Sequence, residues 1–99
     1  MVDNTPPSIR VETRRLDGGD LVVVFAVEDP LSPVARAEGA VNADRWRLLA
    51  PEDGLLDSSR ERFTLRVPKP AGPAVVSLRA VDAAGNVAAA SLSWPADFP

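Results

Sequence analysis

Arg62-Phe63-Thr64-Leu65-Arg66-Val67 alternates strictly between polar and apolar residues. Phe63, Leu65 and Val67 share one face, and Arg62, Thr64 and Arg66 share the other. A period of two is that of a half-buried β-strand, because successive side chains leave a strand on opposite faces. The same period recurs on either side. Ile9, Val11 and Thr13 alternate with Arg10, Glu12 and Arg14. Leu21, Val23, Phe25 and Val27 form one face of a β-branched run and Val22, Val24 and Ala26 the other; the Phe25 face is expected inside, since Asp20 and Glu28 flank the opposite one. Val76, Leu78 and Ala80 alternate with Ser77 and Arg79.

The breaks between these runs are turn signals. Asp17-Gly18-Gly19 predicts a hairpin between the first two strands, because glycine adopts positive φ without steric cost. Asp29-Pro30-Leu31-Ser32-Pro33 interrupts the sheet, since proline donates nothing to a ladder. A weak, alanine-rich strand follows over 34–41. Asn42-Ala43-Asp44 then turns into a short strand, 45–49, that carries Trp46. Residues 50–59 read as loop, with a brief edge strand near Leu55-Leu56. Pro68 to Pro73 is a proline-stiffened connection, and Ala83-Ala84-Gly85 closes a last hairpin into a strand over 86–94 that Pro95 ends. The alanine run 83–90 has helical propensity, but Gly85 and Asn86 interrupt it, so strand is expected there too. About seven short strands with regularly spaced turns predict an all-β, seven-stranded antiparallel Greek-key β-sandwich. The expected core is Ile9, Val11, Val23, Phe25, Val27, Val34, Trp46, Phe63, Leu65, Val76, Leu78, Ala80 and Leu92.

Ninety-nine residues make one domain, 1–99, with 1–7 as a leading linker and 95–99 as a tail. The net charge of −3 and the dispersed arginines argue against nucleic acid, which requires a basic stripe. No run approaches the length of a membrane span, so no membrane insertion is expected. The absence of cysteine removes disulfides and thiolate chemistry, and the absence of histidine removes imidazole catalysis and the commonest metal ligand. Lys69 stands between two prolines in a turn, a poor base for Ser58 or Ser59. No catalytic residue and no cofactor is therefore expected. Asp53, Asp57 and Glu61 are weak calcium candidates, hard oxygen ligands close in sequence but without the spacing of a calcium loop. Trp46 is expected in the core or at its rim. Trp94 and Phe98, in the tail, are freer and could meet a carbohydrate or another domain. Val22 and Val24 belong to an apolar outer face that is covered either by a neighbouring domain or second copy, or by the stems of arginines and threonines on adjacent strands.

Ala80-Val81-Asp82-Ala83-Ala84-Gly85-Asn86 resembles the F–G hairpin of fibronectin-III-like and bacterial immunoglobulin-like domains. Asp3-Asn4-Thr5-Pro6-Pro7-Ser8-Ile9 is similar to the segment that leads into such modules, and Val41 to Trp46 to their C–C′ region. In the hairpin Asp82 is expected to accept backbone N–H bonds, Gly85 to supply positive φ, and Asn86 to tolerate left-handed geometry. Ala74 stands where many members place tyrosine, so the tyrosine corner is missing, as is the antibody-type cysteine pair. The resemblance implies a non-catalytic spacer, adhesive or accessory module of a larger exported bacterial protein. Its place would be extracellular, on the cell surface or periplasmic, with the export signal outside 1–99. Its partners would be neighbouring domains of the same chain, or a protein or carbohydrate ligand.

Overall fold

Leu21, Val23, Phe25 and Val27 are all but inaccessible to solvent, and the other strands assemble around that stripe. The computed structural model describes residues 5–52 and 59–98. The strands are β1 (Ser8–Asp17), β2 (Asp20–Glu28), β3 (Val34–Val41), β4 (Asp44–Leu49), β5 (Arg60–Pro68), β6 (Ala74–Asp82) and β7 (Val87–Trp94). They form two antiparallel sheets, one ordered β1-β2-β5 and the other β4-β3-β6-β7. This is the all-β sandwich that the period of two predicts. β7 begins at Val87 rather than Asn86; of the alanine run, Ala88 to Ala90 are strand, while Ala83 and Ala84 lie in the turn before it. The expected edge strand near Leu55-Leu56 lies outside the described residues.

The core is one cluster between the sheets. Phe25 of β2 stands directly opposite Phe63 of β5, and Val23 opposite Leu65. Val34 and Ala37 of β3, Val76, Leu78 and Ala80 of β6, and Leu92 of β7 face them from the second sheet. Ile9 and Val11 are half-buried and pack against this cluster.

Irregular backbone corrects three sequence expectations. β1 carries a bulge between Val11 and Thr13, so Thr13 lies opposite Val24 and Arg14 opposite Val23. A bulge adds one residue and reverses the facing of everything beyond it. Thr13 therefore does not continue the inward stripe of Ile9 and Val11. The second correction is Trp46. Asn42 and Ala43 both have φ near +55° and form a two-residue hairpin turn, and Arg45 (φ 55°) makes a second irregularity just after it. Leu49 packs on the core, while Trp46 stands on the outer face with the guanidinium of Arg79 4.1 Å from its ring centre. Third, the tail is not free. Phe98 is buried in the core cluster, and half-buried Trp94 packs against it with ring centres 5.5 Å apart and planes at 68°.

Candidate functional site

The end of the sandwich where β2 leaves and β6 turns is built around two buried carboxyls, Asp29 and Asp82. Asp29 Oδ1 accepts the backbone N–H groups of Leu31 and Ser32, each at 2.9 Å. This lets the chain leave the sheet where Pro30 and Pro33 deny it a ladder. Asp82 Oδ1 accepts the N–H groups of Ala84 (3.0 Å) and Asn86 (2.8 Å), and Oδ2 accepts the side-chain amide of Asn86 (3.1 Å). Gly85 completes the turn with φ +88°. The residues singled out in the hairpin motif are thus brought together in the roles their chemistry suggests. Burial pushes the Asp82 carboxyl up. The two Asn86 donors, the neighbouring Asp29 side chain and the Ala84 N–H outweigh it and hold Asp82 below the usual carboxylate range. Ala83 N–H donates to Pro33 O at 2.9 Å, and Asp29 N–H to Ser59 O at 2.7 Å, so the two loops are fastened to their neighbours.

This end is a structural knot, its two carboxyls engaged by the donors that hold the turns. Of the calcium candidates, Asp53 and Asp57 lie outside the described residues. Glu61 is buried on β5 opposite Val27. Among the described residues no group of three or more potential ligands is placed to hold a metal ion. Nearby, a groove of about 470 Å³ is lined by Arg10, Glu12, Ala26, Glu28, Arg60 and Arg62, among others. Three ion pairs lie along it: Arg62 meets Glu12 at 3.0 Å, Arg10 meets Glu12 at 3.4 Å, and Arg60 meets Glu28 at 3.2 Å.

The two outer faces differ. On the three-stranded sheet, Val22 is only 2% exposed, between Arg15 of β1 and Arg66 of β5. Val24 stands between Thr13 and Thr64, and is half-buried. Arg66 is fixed by Asp20 (2.7 Å) and Asp17, which raise its affinity for its proton. Arginines on both flanking strands are placed to cover Val22 with their aliphatic stems, and Val22 itself is not exposed. The face of the four-stranded sheet is less charged. Arg79 bridges Trp46 and Glu38, donating to both Glu38 oxygens at 3.1 and 3.4 Å and, with help from Arg36, holding that carboxyl below its ordinary range. Ser77 and Ser91 share a 2.8 Å hydrogen bond, and Leu48, Val75 and Val87 are exposed. The sequence does not announce this surface, because the size of Trp46 points to the core or its rim rather than to the outer face.

Among the described residues the fold is a β-sandwich with no helix in either layer. No protein-family profile matches the chain, and no curated protein does. Among solved structures it is similar to part of the sulfane dehydrogenase SoxCD from Paracoccus pantotrophus, with a TM-score of 0.62 and 16% identity. The likeness covers 83% of this chain and 23% of the SoxCD chain, and at that identity it concerns the fold alone.

Proposed function

We propose that the chain is a non-catalytic structural or interaction module, a spacer, adhesive or accessory domain, of a larger exported bacterial protein. The observation that carries this reading is that a similar fold occupies 23% of a longer chain in the similar solved structure. The arrangement of polar groups agrees with it. Asp29 and Asp82 are spent on holding turns, and Glu12, Glu28, Glu38, Asp17 and Asp20 are paired with arginines. Within sandwiches, the module is best read as fibronectin-III-like. In the constant-type immunoglobulin order the fourth strand joins the sheet of the first, second and fifth. Here β4 pairs with β3 in the other sheet.

An autonomous carbohydrate-binding module is the competing reading. It has less support, because Trp94 and Phe98 meet edge to face at 68° instead of forming a coplanar platform. Two measurements separate the readings. The isolated chain on a glycan array is expected to show no signal, and replacing the module within its parent protein is expected to change assembly or solubility while leaving any turnover intact. Strong glycan binding lost in Trp94→Ala would overturn the proposal.

A further inference from the structure

The sandwich has four sheet edges, and three of them carry devices that discourage pairing. β1 has its bulge and the charges of Arg10, Arg14 and Arg15. β4 has the left-handed Arg45 beside its turn. β5 is partly occupied, since Glu52 N–H donates to Arg62 O at 2.9 Å, and Pro51 bridges to Phe63. Such bulges, charges and covers are how sheets avoid edge-to-edge association. β7 differs. From Val87 to Trp94 it contains no charge, no proline and no bulge.

Its backbone also faces outward in a regular way. Ser93 stands opposite Val75. Val75 N–H and C=O both engage Asn42, at 2.9 and 2.7 Å, while Ser93 N–H and C=O engage Asp97, at 2.7 and 2.9 Å. The two residues therefore do not bond each other. In an antiparallel ladder such pairs alternate with bonded ones. Counting by two, Ser91, Ala89 and Val87 also direct their N–H and C=O away from β6. Asp97 caps the first of this series, and Gly85 in the turn ends it. Among the described residues, nothing pairs with the three between.

We propose that β7 pairs antiparallel with β7 of a second copy of this chain, with the two-fold axis at Ala89. That register sets Val87 opposite Ser91 of the other copy, Ala89 opposite Ala89, and Ser91 opposite Val87. All three facing pairs then exchange N–H and C=O, which joins two four-stranded sheets into one. Sliding two residues toward the tail would run into Asp97, and sliding toward the turn leaves fewer strand residues to pair. A neutral strand meets itself without like-charge repulsion, whereas β1 against β1 would bring arginines together. Small side chains at Ala89 and Ser91 let the edges approach. Three pairs bury less than the roughly 1,200 Å² of a stable complex, so the dimer is weak in free solution. It strengthens when two copies are held together.

The test is sedimentation and amide exchange on the full 99-residue chain from about 0.05 to 2 mM, the range in which so small an interface associates. The dimer fraction should rise with concentration, and the N–H groups of Val87, Ala89 and Ser91 should become protected, while those of Ala88 and Ala90, already turned toward β6, should not change. Ala89→Pro removes an N–H that β6 does not use, so it should leave the fold intact and abolish dimerisation. Ala89→Lys, which faces two cations across the axis, should weaken it by tenfold or more; it decides the matter if the proline variant does not fold. A chain that stays monomeric at 2 mM, a dimer equally tight in Ala89→Lys, or protection confined to other strands would each overturn the proposal.

Discussion

At the scale of single residues, Asp82 is the group on which the end of the sandwich depends. One carboxylate, 1% exposed, accepts two backbone N–H groups and one side-chain amide. Removing it takes the acceptor from three donors at once, on exposed Ala84 and half-buried Asn86, and so costs more than a single average hydrogen bond. Asp82→Ala should lower the melting temperature by roughly 5–15 °C, as large losses of this kind do in a domain of this size. The pH dependence has a definite sign. The folded-state carboxyl sits below its ordinary range, so folding favours the ionised form. That contribution is fully present above the unfolded pKa, about 3.9, and is lost as pH falls through the folded value. The stability gap between wild type and Asp82→Ala, measured by urea titration at a series of pH values, should be constant from pH 7 to about 5 and narrow below about 4. A gap that widens in acid would show that the carboxyl is not stabilised as its anion.

Two close backbone demands operate at the level of elements. The turn between β3 and β4 places Ala43 at φ +56°, in the left-handed region where a Cβ crowds the following carbonyl. Asn42 tolerates that region better than alanine does, and glycine better still. Ala43→Gly should stabilise the domain by about 0.5–1 kcal/mol, read as a higher midpoint in chemical denaturation with unchanged slope. Gly39 meets the opposite constraint. A Cβ there would stand 2.7 Å from Leu65 Cδ1 across the core, so Gly39→Ala should cost about 1–3 kcal/mol through overpacking. The smaller variant Leu65→Val should recover part of that loss. These positions also mark where the chain was legible. β2, β5 and β6 could be read because each alternates without interruption against a buried partner. β1 could be read only as far as Val11, since nothing in Arg10 to Arg15 announces an extra residue at Glu12. Trp46 was misplaced because size suggested the core, whereas a left-handed Arg45 and the Arg79 guanidinium decide its face. At the candidate site, Asp82, Gly85 and Asn86 were visible as a local motif. Asp29 was not visible as their neighbour, because it arrives from a strand more than fifty residues away.

Taken as a whole, the molecule is a core open at its ends, and the end near Trp94 is closed by chain that lies outside the strands. After β7 the backbone turns, with Asp97 N–H bonded to Ser93 O and Phe98 N–H to Pro95 O, and this returns the Phe98 ring to the cluster that holds Leu21 and Val67. Trp94 and Phe98 meet edge to face, and the Trp94 ring centre lies 5.8 Å from the Lys69 ammonium. A domain of this length has a thin core, so one aromatic at an open end is a large share of its apolar burial. The two tryptophans give an internal contrast. Phe98→Ala should cost about 2–4 kcal/mol, near the range for buried aromatics, and should shift Trp94 fluorescence to the red as water reaches its ring. Trp46→Ala removes a ring on the outer face, where its Arg79 contact is worth about 0.5–1 kcal/mol, and the loss should stay under about 1.5 kcal/mol. Guanidinium titrations of the two variants, followed by circular dichroism, should therefore rank them with Phe98→Ala clearly lower. Equal losses, or a larger one for Trp46→Ala, would mean that the tail only drapes over the core and that the outer face of the four-stranded sheet, not the closed end, carries the stability.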